Sequence, residues 1–187
     1  MKKLLLSLFI ICMTTVFAVA QNKVPAVDKS PMDMSYYPAG YPVLKIGDKV
    51  TEPLAARVIY SRPQKNGRNV FGELLEYGKV WRLGANEATE IEFYLPVTIN
   101  KVKVKKGRYT MYCIPYADKW TIILNKELDT WGSFRYDAKK DIVRMDVPVQ
   151  KLTEITESFA MYFEKATAGV GLNIAWDDVK VILPINF

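Results

Sequence analysis

Apolar residues recur at every second position over most of this chain. Successive side chains of a β-strand point to opposite faces of the sheet, so this period gives each strand one apolar and one wet face. About nine stretches carry the pattern, among them residues 90–95, 109–113 and 179–185. Strands of this kind favour two packed sheets or a barrel. We therefore predict an all-β fold, either an antiparallel, jelly-roll-like β-sandwich or a partly closed barrel.

Short turns divide the predicted strands. Lys106-Gly107, Ala168-Gly169 and Asp177-Asp178 are turn sequences between apolar stretches, and their close spacing predicts hairpins. Residues 97–104 are predicted to form one strand. Asp177-Asp178 is predicted to separate two strands near the carboxyl terminus.

The amino terminus has the organisation of a secretory signal peptide. Lys2 and Lys3 precede an apolar run, and Ala18-Val19-Ala20 is the small-x-small pattern of a cleavage site. We predict a signal peptide over residues 1–20, with Gln21 as the new first residue. The alternative is a retained anchor, although the run is marginal for a membrane span of ~20 apolar residues. The mature protein is then periplasmic or extracellular and has no membrane span.

The remainder of the chain is predicted to form a lead-in and one domain. Residues 21–42 contain four prolines and are predicted to be extended, without regular structure. Residues 43–187 have a length typical of one domain, which we predict to be the β-sandwich.

Composition excludes several classes of site. The chain has no histidine, which removes Ser-His and Cys-His nucleophiles and histidine-based zinc sites. Cys113 is the one cysteine left after loss of Cys12, so no intramolecular disulfide is expected. The 26 basic residues include Lys2 and Lys3 and stand against 20 acidic ones. This excess is too small to indicate nucleic-acid binding. We predict no metal and no cofactor.

Residues 61–88 interrupt the regular pattern. A loop this long without its own secondary structure is usually functional or disordered. Its apolar residues favour an ordered loop, with Trp81 as an anchor. The candidate ligand-binding residues in this loop are Arg62, Arg68, Trp81, Arg82, Asn86 and Glu87.

Each candidate has a functional and a structural interpretation. Guanidinium groups bind carboxylate or phosphate in pairs of hydrogen bonds, so the three arginines could converge on an anion or could brace the loop. Glu87 could serve a glycosidase, but pairing with Arg82 or Arg68 is favoured. Trp81 and Trp131 are the candidates for a sugar-stacking platform, with burial favoured for both. Trp120 and Trp176 are predicted core residues.

The loop also carries a family resemblance. The motifs are Tyr60-Ser61-Arg62-Pro63, Gly67-Arg68, Phe71-Gly72 and Tyr77-Gly78-Lys79-Val80-Trp81-Arg82-Leu83-Gly84-Ala85-Asn86-Glu87-Ala88-Thr89, followed by Gly107-Arg108-Tyr109-Thr110, Trp120-Thr121-Ile122-Ile123-Leu124-Asn125, Trp131-Gly132 and Tyr136-Asp137. Over about residues 30–187 the chain resembles the bacterial domain-of-unknown-function 2911 family. The resemblance implies an exported, β-rich protein of the bacterial envelope, and it implies no activity.

Three functional hypotheses follow. The first is a noncatalytic ligand-binding or interaction domain of the envelope, whose partner is an anion, a carbohydrate or an envelope protein. The second is a hydrolase acting on glycans through carboxylates near Glu87. The third is a structural accessory protein without a small-molecule ligand. The absence of histidine and of any enzyme motif favours the noncatalytic hypothesis over an enzyme.

The signal peptide gives the first testable prediction. Protein recovered from the envelope fraction of the native host should begin at Gln21, because the peptidase accepts the small residues Ala18 and Ala20. Intact-mass measurement reads this directly. A full-length precursor as the stable form would contradict the prediction.

Overall fold

The computed structural model describes residues 24–187, so the predicted signal peptide at residues 1–20 lies outside the described part of the chain. The strands in it are β1 (Met32–Tyr37), β2 (Ala56–Ser61), β3 (Glu90–Phe93), β4 (Val97–Ile99), β5 (Val102–Val104), β6 (Gly107–Pro115), β7 (Lys119–Asn125), β8 (Asp141–Pro148), β9 (Gln150–Lys165) and β10 (Val170–Ile185). Two short helices accompany them, α1 (Tyr41–Ile46) and a 3₁₀ turn (Ala138–Lys140). Over residues 24–187 no helix has the length and apolar character needed to cross a membrane.

Six strands form one antiparallel sheet in the order β1-β2-β3-β6-β7-β8. Strands β9 and β10 form a long hairpin, and β4 and β5 form a short one. The two end strands β1 and β8 do not pair with each other, so the described residues do not close into a barrel. The predicted all-β, antiparallel fold is confirmed, and the sandwich is the alternative that the structure supports.

The core lies between the inner face of the six-stranded sheet and the β9–β10 hairpin. Val58, Ile91 and Ile122 of the sheet and Leu172 and Ile174 of the hairpin are fully buried there. Each such side chain stabilises the fold by about 1.5–3 kcal/mol through loss of contact with water. Cys113 is buried in the same layer.

Five aromatic side chains meet in the centre of this core. Trp81 packs at 5.9 Å from Trp120, at 5.9 Å from Trp176 and at 5.3 Å from Phe159, measured between ring centroids. Phe71 completes the cluster at 5.1 Å from Trp120. Trp120 and Trp176 are thus core residues, as predicted. Trp81 and Phe71 tie the irregular loop into the same core.

The loop of residues 61–88 follows the edge of β6 without forming a regular strand. Beyond the amino-terminal end of β3, Trp81 and Cys113 exchange backbone hydrogen bonds of 2.7 and 2.8 Å. The amide of Gly78 donates to the carbonyl of Pro115 at 2.9 Å. Buried irregular backbone needs such partners, because unpaired buried amides are costly. The predicted ordered loop with Trp81 as its anchor is confirmed.

The lead-in contains an extended segment, as predicted, but the prediction that it has no regular structure is wrong. β1 lies within residues 21–42 and pairs with β2 over its full length, from Met32 opposite Ser61 to Tyr37 opposite Ala56. Pro31 and Pro38 flank the strand, where the missing amide hydrogen does not interrupt pairing. As an edge strand, β1 also lacks the strong apolar alternation of the inner strands.

Two strand boundaries also differ from prediction. Residues 97–104 form the β4–β5 hairpin, because Asn100 and Lys101 both adopt positive φ, at 49° and 64°. Two consecutive left-handed residues produce the tight turn that suits a two-residue hairpin. Asp177, with φ of 57°, marks a register shift inside the continuous strand β10. A bulge of this kind bends a strand without ending it.

The tryptophan cluster predicts a large difference between two identical substitutions. Trp81→Ala should lower the free energy of unfolding by about 3–5 kcal/mol, because it opens a cavity among packed rings. Trp131→Ala is the matched control and should change it by less than about 0.5 kcal/mol, because Trp131 is 61% exposed. Urea unfolding measures both values. Equal losses for the two variants would contradict the central role of Trp81.

Candidate functional site

The predicted arginines Arg62 and Arg68 brace the loop. Arg62 donates from Nε to the carbonyl of Phe159 at 3.0 Å, and its Nη1 lies 3.0 Å from Oδ2 of Asp33. Arg68 donates to the carbonyls of Lys65, at 2.8 Å, and of Gln64, at 2.5 Å. Their guanidinium groups therefore point at different partners and do not form one anion site.

Arg82 has a third environment. Its Nε is buried and has no hydrogen-bond partner among residues 24–187. Burial lowers the pKa of its guanidinium. The neighbouring Trp81 turns inward instead, and its indole Nε1 donates to the carbonyl of Gly84 at 3.0 Å. Trp81 is thus excluded as a surface platform.

The end of the loop pairs with residues 130–132. The amide of Ala88 donates to Thr130 and the amide of Gly132 donates to Asn86, both at 2.9 Å. Glu87 and Trp131 are directly opposite each other in this antiparallel bridge. Directly opposed residues project on the same side, with Cβ atoms about 4.5–5.5 Å apart. The pairing makes Glu87 and Trp131 neighbours on the surface.

The turn after Trp131 presents a second aromatic ring. Trp131 is 61% exposed and Phe134 is 84% exposed. Between them Gly132 has φ of 65°, and a Cβ atom there would lie 2.8 Å from the Phe134 ring. The expectation that Trp131 is buried is wrong. Its neighbour Thr130 occupies the inward position instead and shares a hydrogen bond of 3.1 Å with the Tyr112 hydroxyl.

A polar network supports this turn from beneath. Asp141 accepts hydrogen bonds from the Tyr136 hydroxyl at 2.6 Å, from Arg144 at 2.8 Å and from Asn125 at 2.7 Å. Burial, assisted by the hydrogen bond to Asp141, raises the pKa of Tyr136 to about 12. The Tyr136 ring packs edge-on against Tyr112 at 5.0 Å. The segment that carries Trp131 is therefore fixed to the outer face of the sheet.

Arg108 organises the carboxylates next to Trp131. Its Nε lies 3.1 Å from Glu90 and its Nη2 lies 2.6 Å from Asp129. The backbone amide of Asp129 also donates to Glu90 at 3.0 Å. Sequence reasoning missed these residues, although the wet-face positions of Glu90 and Arg108 on β3 and β6 were a usable signal. The position of Asp129 depends on its contacts with Arg108 and Glu90, which are distant in the chain and leave no local sequence pattern.

Three adjacent depressions form what we call the outer groove, and Asp129 borders all three. One, of about 410 Å³, lies around Trp131 and Phe134 within residues 127–135. The middle one, of about 200 Å³, is lined by Met32, Ile59, Glu87, Ala88, Glu90, Asp129 and Thr130. The third, of about 170 Å³, is lined by Arg57, Ile59, Glu90, Glu92, Arg108 and Asp129.

Of the predicted site residues, Glu87 is the one that lines the groove. Its expected ion pair with Arg82 or Arg68 is not found among the described residues, where its carboxylate makes no ion pair or side-chain hydrogen bond. Asn86 lies beside it, and its side-chain amide donates to Asp28 at 3.0 Å. Within residues 24–187 no three acidic or cysteine side chains cluster in a way that could hold a metal ion.

The fold and the groove define an antiparallel β-sandwich with an open polar and aromatic surface site. The chain belongs to the DUF2911 family of proteins of unknown function, whose model matches residues 45–185. Neither the curated proteins nor the solved structures contain a match.

Arg62 has hydrogen-bond partners and the Nε of Arg82 has none among residues 24–187, so their substitution should affect the free energy of unfolding differently. Arg62→Met should lower the free energy of unfolding by about 1 kcal/mol, because the Phe159 carbonyl and Asp33 lose their donor. Arg82→Met should be neutral or stabilising, because it removes a partly buried charge whose Nε has no partner among residues 24–187. Thermal and urea unfolding measure both. A loss above about 2 kcal/mol for Arg82→Met would show that this arginine has a structural partner.

Proposed function

We propose that this protein is a noncatalytic carbohydrate-binding domain of the bacterial envelope, which binds its ligand in the outer groove. The observation that carries the proposal is the exposed Trp131 beside Glu87, whose carboxylate has no partner among the described residues. Export to the periplasm or cell surface is part of the proposal and rests on the amino-terminal sequence. The family membership adds no activity of its own.

The chemistry of the groove suits a sugar. An indole ring offers a flat apolar face to the C–H side of a sugar ring, while carboxylates and guanidinium groups exchange hydrogen bonds with its hydroxyls. Trp131 and Phe134 supply the flat faces, and Glu87 and Arg135 lie close to them in the chain or across the bridge. A few polar groups beside aromatic rings are typical of small-molecule sites.

The rigidity of the platform supports binding. Trp131 sits in a turn fixed by the hydrogen bonds to Asn86 and Ala88 on one side and by the Asp141 network on the other. A preorganised site loses less conformational entropy when a ligand binds.

The arrangement of carboxylates favours binding over hydrolysis. Glycoside hydrolysis requires two carboxyl groups, one to donate a proton and one to act as a nucleophile or base. Glu90 and Asp129 are both engaged by Arg108, which contacts both oxygens of Glu90 and one oxygen of Asp129. Glu87 alone remains as a groove carboxylate without a partner in residues 24–187. The engagement of Arg62 by the Phe159 carbonyl and Asp33, and of Arg68 by two loop carbonyls, likewise speaks against an anion as the ligand.

The proposal predicts that Trp131→Ala lowers the affinity for a neutral saccharide at least tenfold, about 1.4 kcal/mol, because the stacking face is lost. Cello-, malto- and chito-oligosaccharides are the probes, measured by titration calorimetry. Intrinsic fluorescence gives a second readout, since Trp131 is exposed whereas Trp81, Trp120 and Trp176 are buried.

Tyr116→Ala is the matched control, because it removes a partly exposed aromatic ring outside the groove and should leave the affinity unchanged. If Trp131→Ala binds the same saccharides as tightly as the unmodified protein, the platform is not the site.

A further inference from the structure

Resting on the proposed function, we infer that the outer groove binds a chain of at least two sugar units and selects against acidic sugars. The platform at Trp131 is one subsite of this chain. A second subsite lies at Arg57 and Glu92, and the middle of the groove, which carries excess negative charge, lies between the two.

The continuity of the groove carries the first step. Asp129 borders all three depressions, Thr130 borders the first two, and Ile59 and Glu90 border the last two. The three depressions are therefore adjacent from Trp131 to Arg57. Neighbouring strands are about 4.7–4.9 Å apart, so a ligand that reaches from residue 131 past Glu87 and β3 to β2 is longer than a single sugar ring.

The far end of the groove has the groups of a second subsite. Arg57 Nη2 lies 2.6 Å from Glu92, and the Tyr94 hydroxyl donates to the same carboxylate at 2.8 Å. The side chains of Arg57 and Glu92 are 30% and 27% exposed, so a ligand can reach them. Held in place by each other, they offer both a donor and an acceptor to sugar hydroxyls.

An apolar strip connects the two ends. Ile59 of β2 lies directly opposite Met34 of β1, and Met32 follows on the same face. Met32 and Met34 are both exposed on this face. A sugar chain has apolar C–H faces as well as hydroxyls, and this strip can contact those faces between the two polar ends.

The charge of the middle depression sets the selectivity. Glu87, Glu90 and Asp129 line it, and no basic residue does. Arg108 contacts Glu90 and Asp129 and offsets one of these three charges. A local excess of negative charge repels a carboxylated sugar and tolerates a neutral or amino sugar.

Binding affinities for oligosaccharides of increasing length test the two-subsite arrangement. Monomers to tetramers of N-acetylglucosamine, glucose in β-1,4 linkage and glucose in α-1,4 linkage are titrated by calorimetry. We expect the tetramer of the bound series to bind at least tenfold tighter than its monomer. Arg57→Ala should reduce tetramer affinity to the level of a short ligand, so that affinity no longer rises with chain length. Trp131→Ala should weaken both.

Lys119→Ala is the matched control, because Lys119 also pairs with a carboxylate, Asp146, but lies outside the groove. Lys119→Ala should leave the affinities for all of these oligosaccharides unchanged. Melting curves establish that each variant is folded. For selectivity, oligogalacturonate of equal length should bind at least tenfold more weakly than the neutral tetramer, and glucosamine oligomers should bind at least as tightly. Glu87→Gln should reduce the difference in affinity between oligogalacturonate and the neutral tetramer, because it removes one negative charge from the groove.

The outcomes separate the two proposals. Tetramer and monomer of equal affinity, with Arg57→Ala without effect, would overturn the extended groove and leave Trp131-dependent sugar binding standing. Preference for oligogalacturonate would overturn the charge selectivity. If no saccharide of the panel binds the unmodified protein, both the extended groove and the proposed function are wrong.

Discussion

The burial of Trp81 among Phe71, Trp120, Phe159 and Trp176 is the contact on which the rest of the structure depends. It fixes a loop that has no regular strand of its own, because the same residue also exchanges two backbone hydrogen bonds with Cys113 of β6. From that fixed point the chain runs to Asn86–Ala88, which pair with residues 130–132. The position of the surface site therefore depends on Trp81, which is itself buried in the core.

The two faces of the six-stranded sheet differ in how they are covered. The inner face is apolar and closed by the β9–β10 hairpin, so it contributes the free energy of folding. The outer face is covered over only part of its area, by residues 126–140 seated on Tyr112 and Ile123 and held by Asp141. The uncovered part, over β1, β2 and β3, retains charged and apolar side chains side by side. The groove lies where this cover ends.

Sequence patterns predicted those parts of the structure that reflect burial. Alternation identified the inner strands and placed Trp120 and Trp176 in the core, since burial on one face is what alternation records. It missed β1, whose edge position lets polar residues such as Asp33 and Ser35 occupy a strand. Burial of Trp131 was favoured from residue type alone, because a tryptophan outside a strand has no alternation to show which face it occupies. The pairing of Glu87 with Trp131 joins segments far apart in the chain, and neither segment has a local pattern that specifies the other.

The arginines show why residue type alone misleads about a site. Arg62 and Arg68 stand in the most arginine-rich loop, yet their donors are used by carbonyls of the loop and of β9. Arg108, in a regular strand, does more for the groove, because it binds Glu90 and Asp129 together and fixes both beside Trp131. A guanidinium with five donors in a plane is well suited to either task, and only the position of its partners decides which one it performs. Here the partners are carboxylates of the groove itself. Because Arg108 contacts both oxygens of Glu90 and one oxygen of Asp129, these two carboxylates are held in place along the groove.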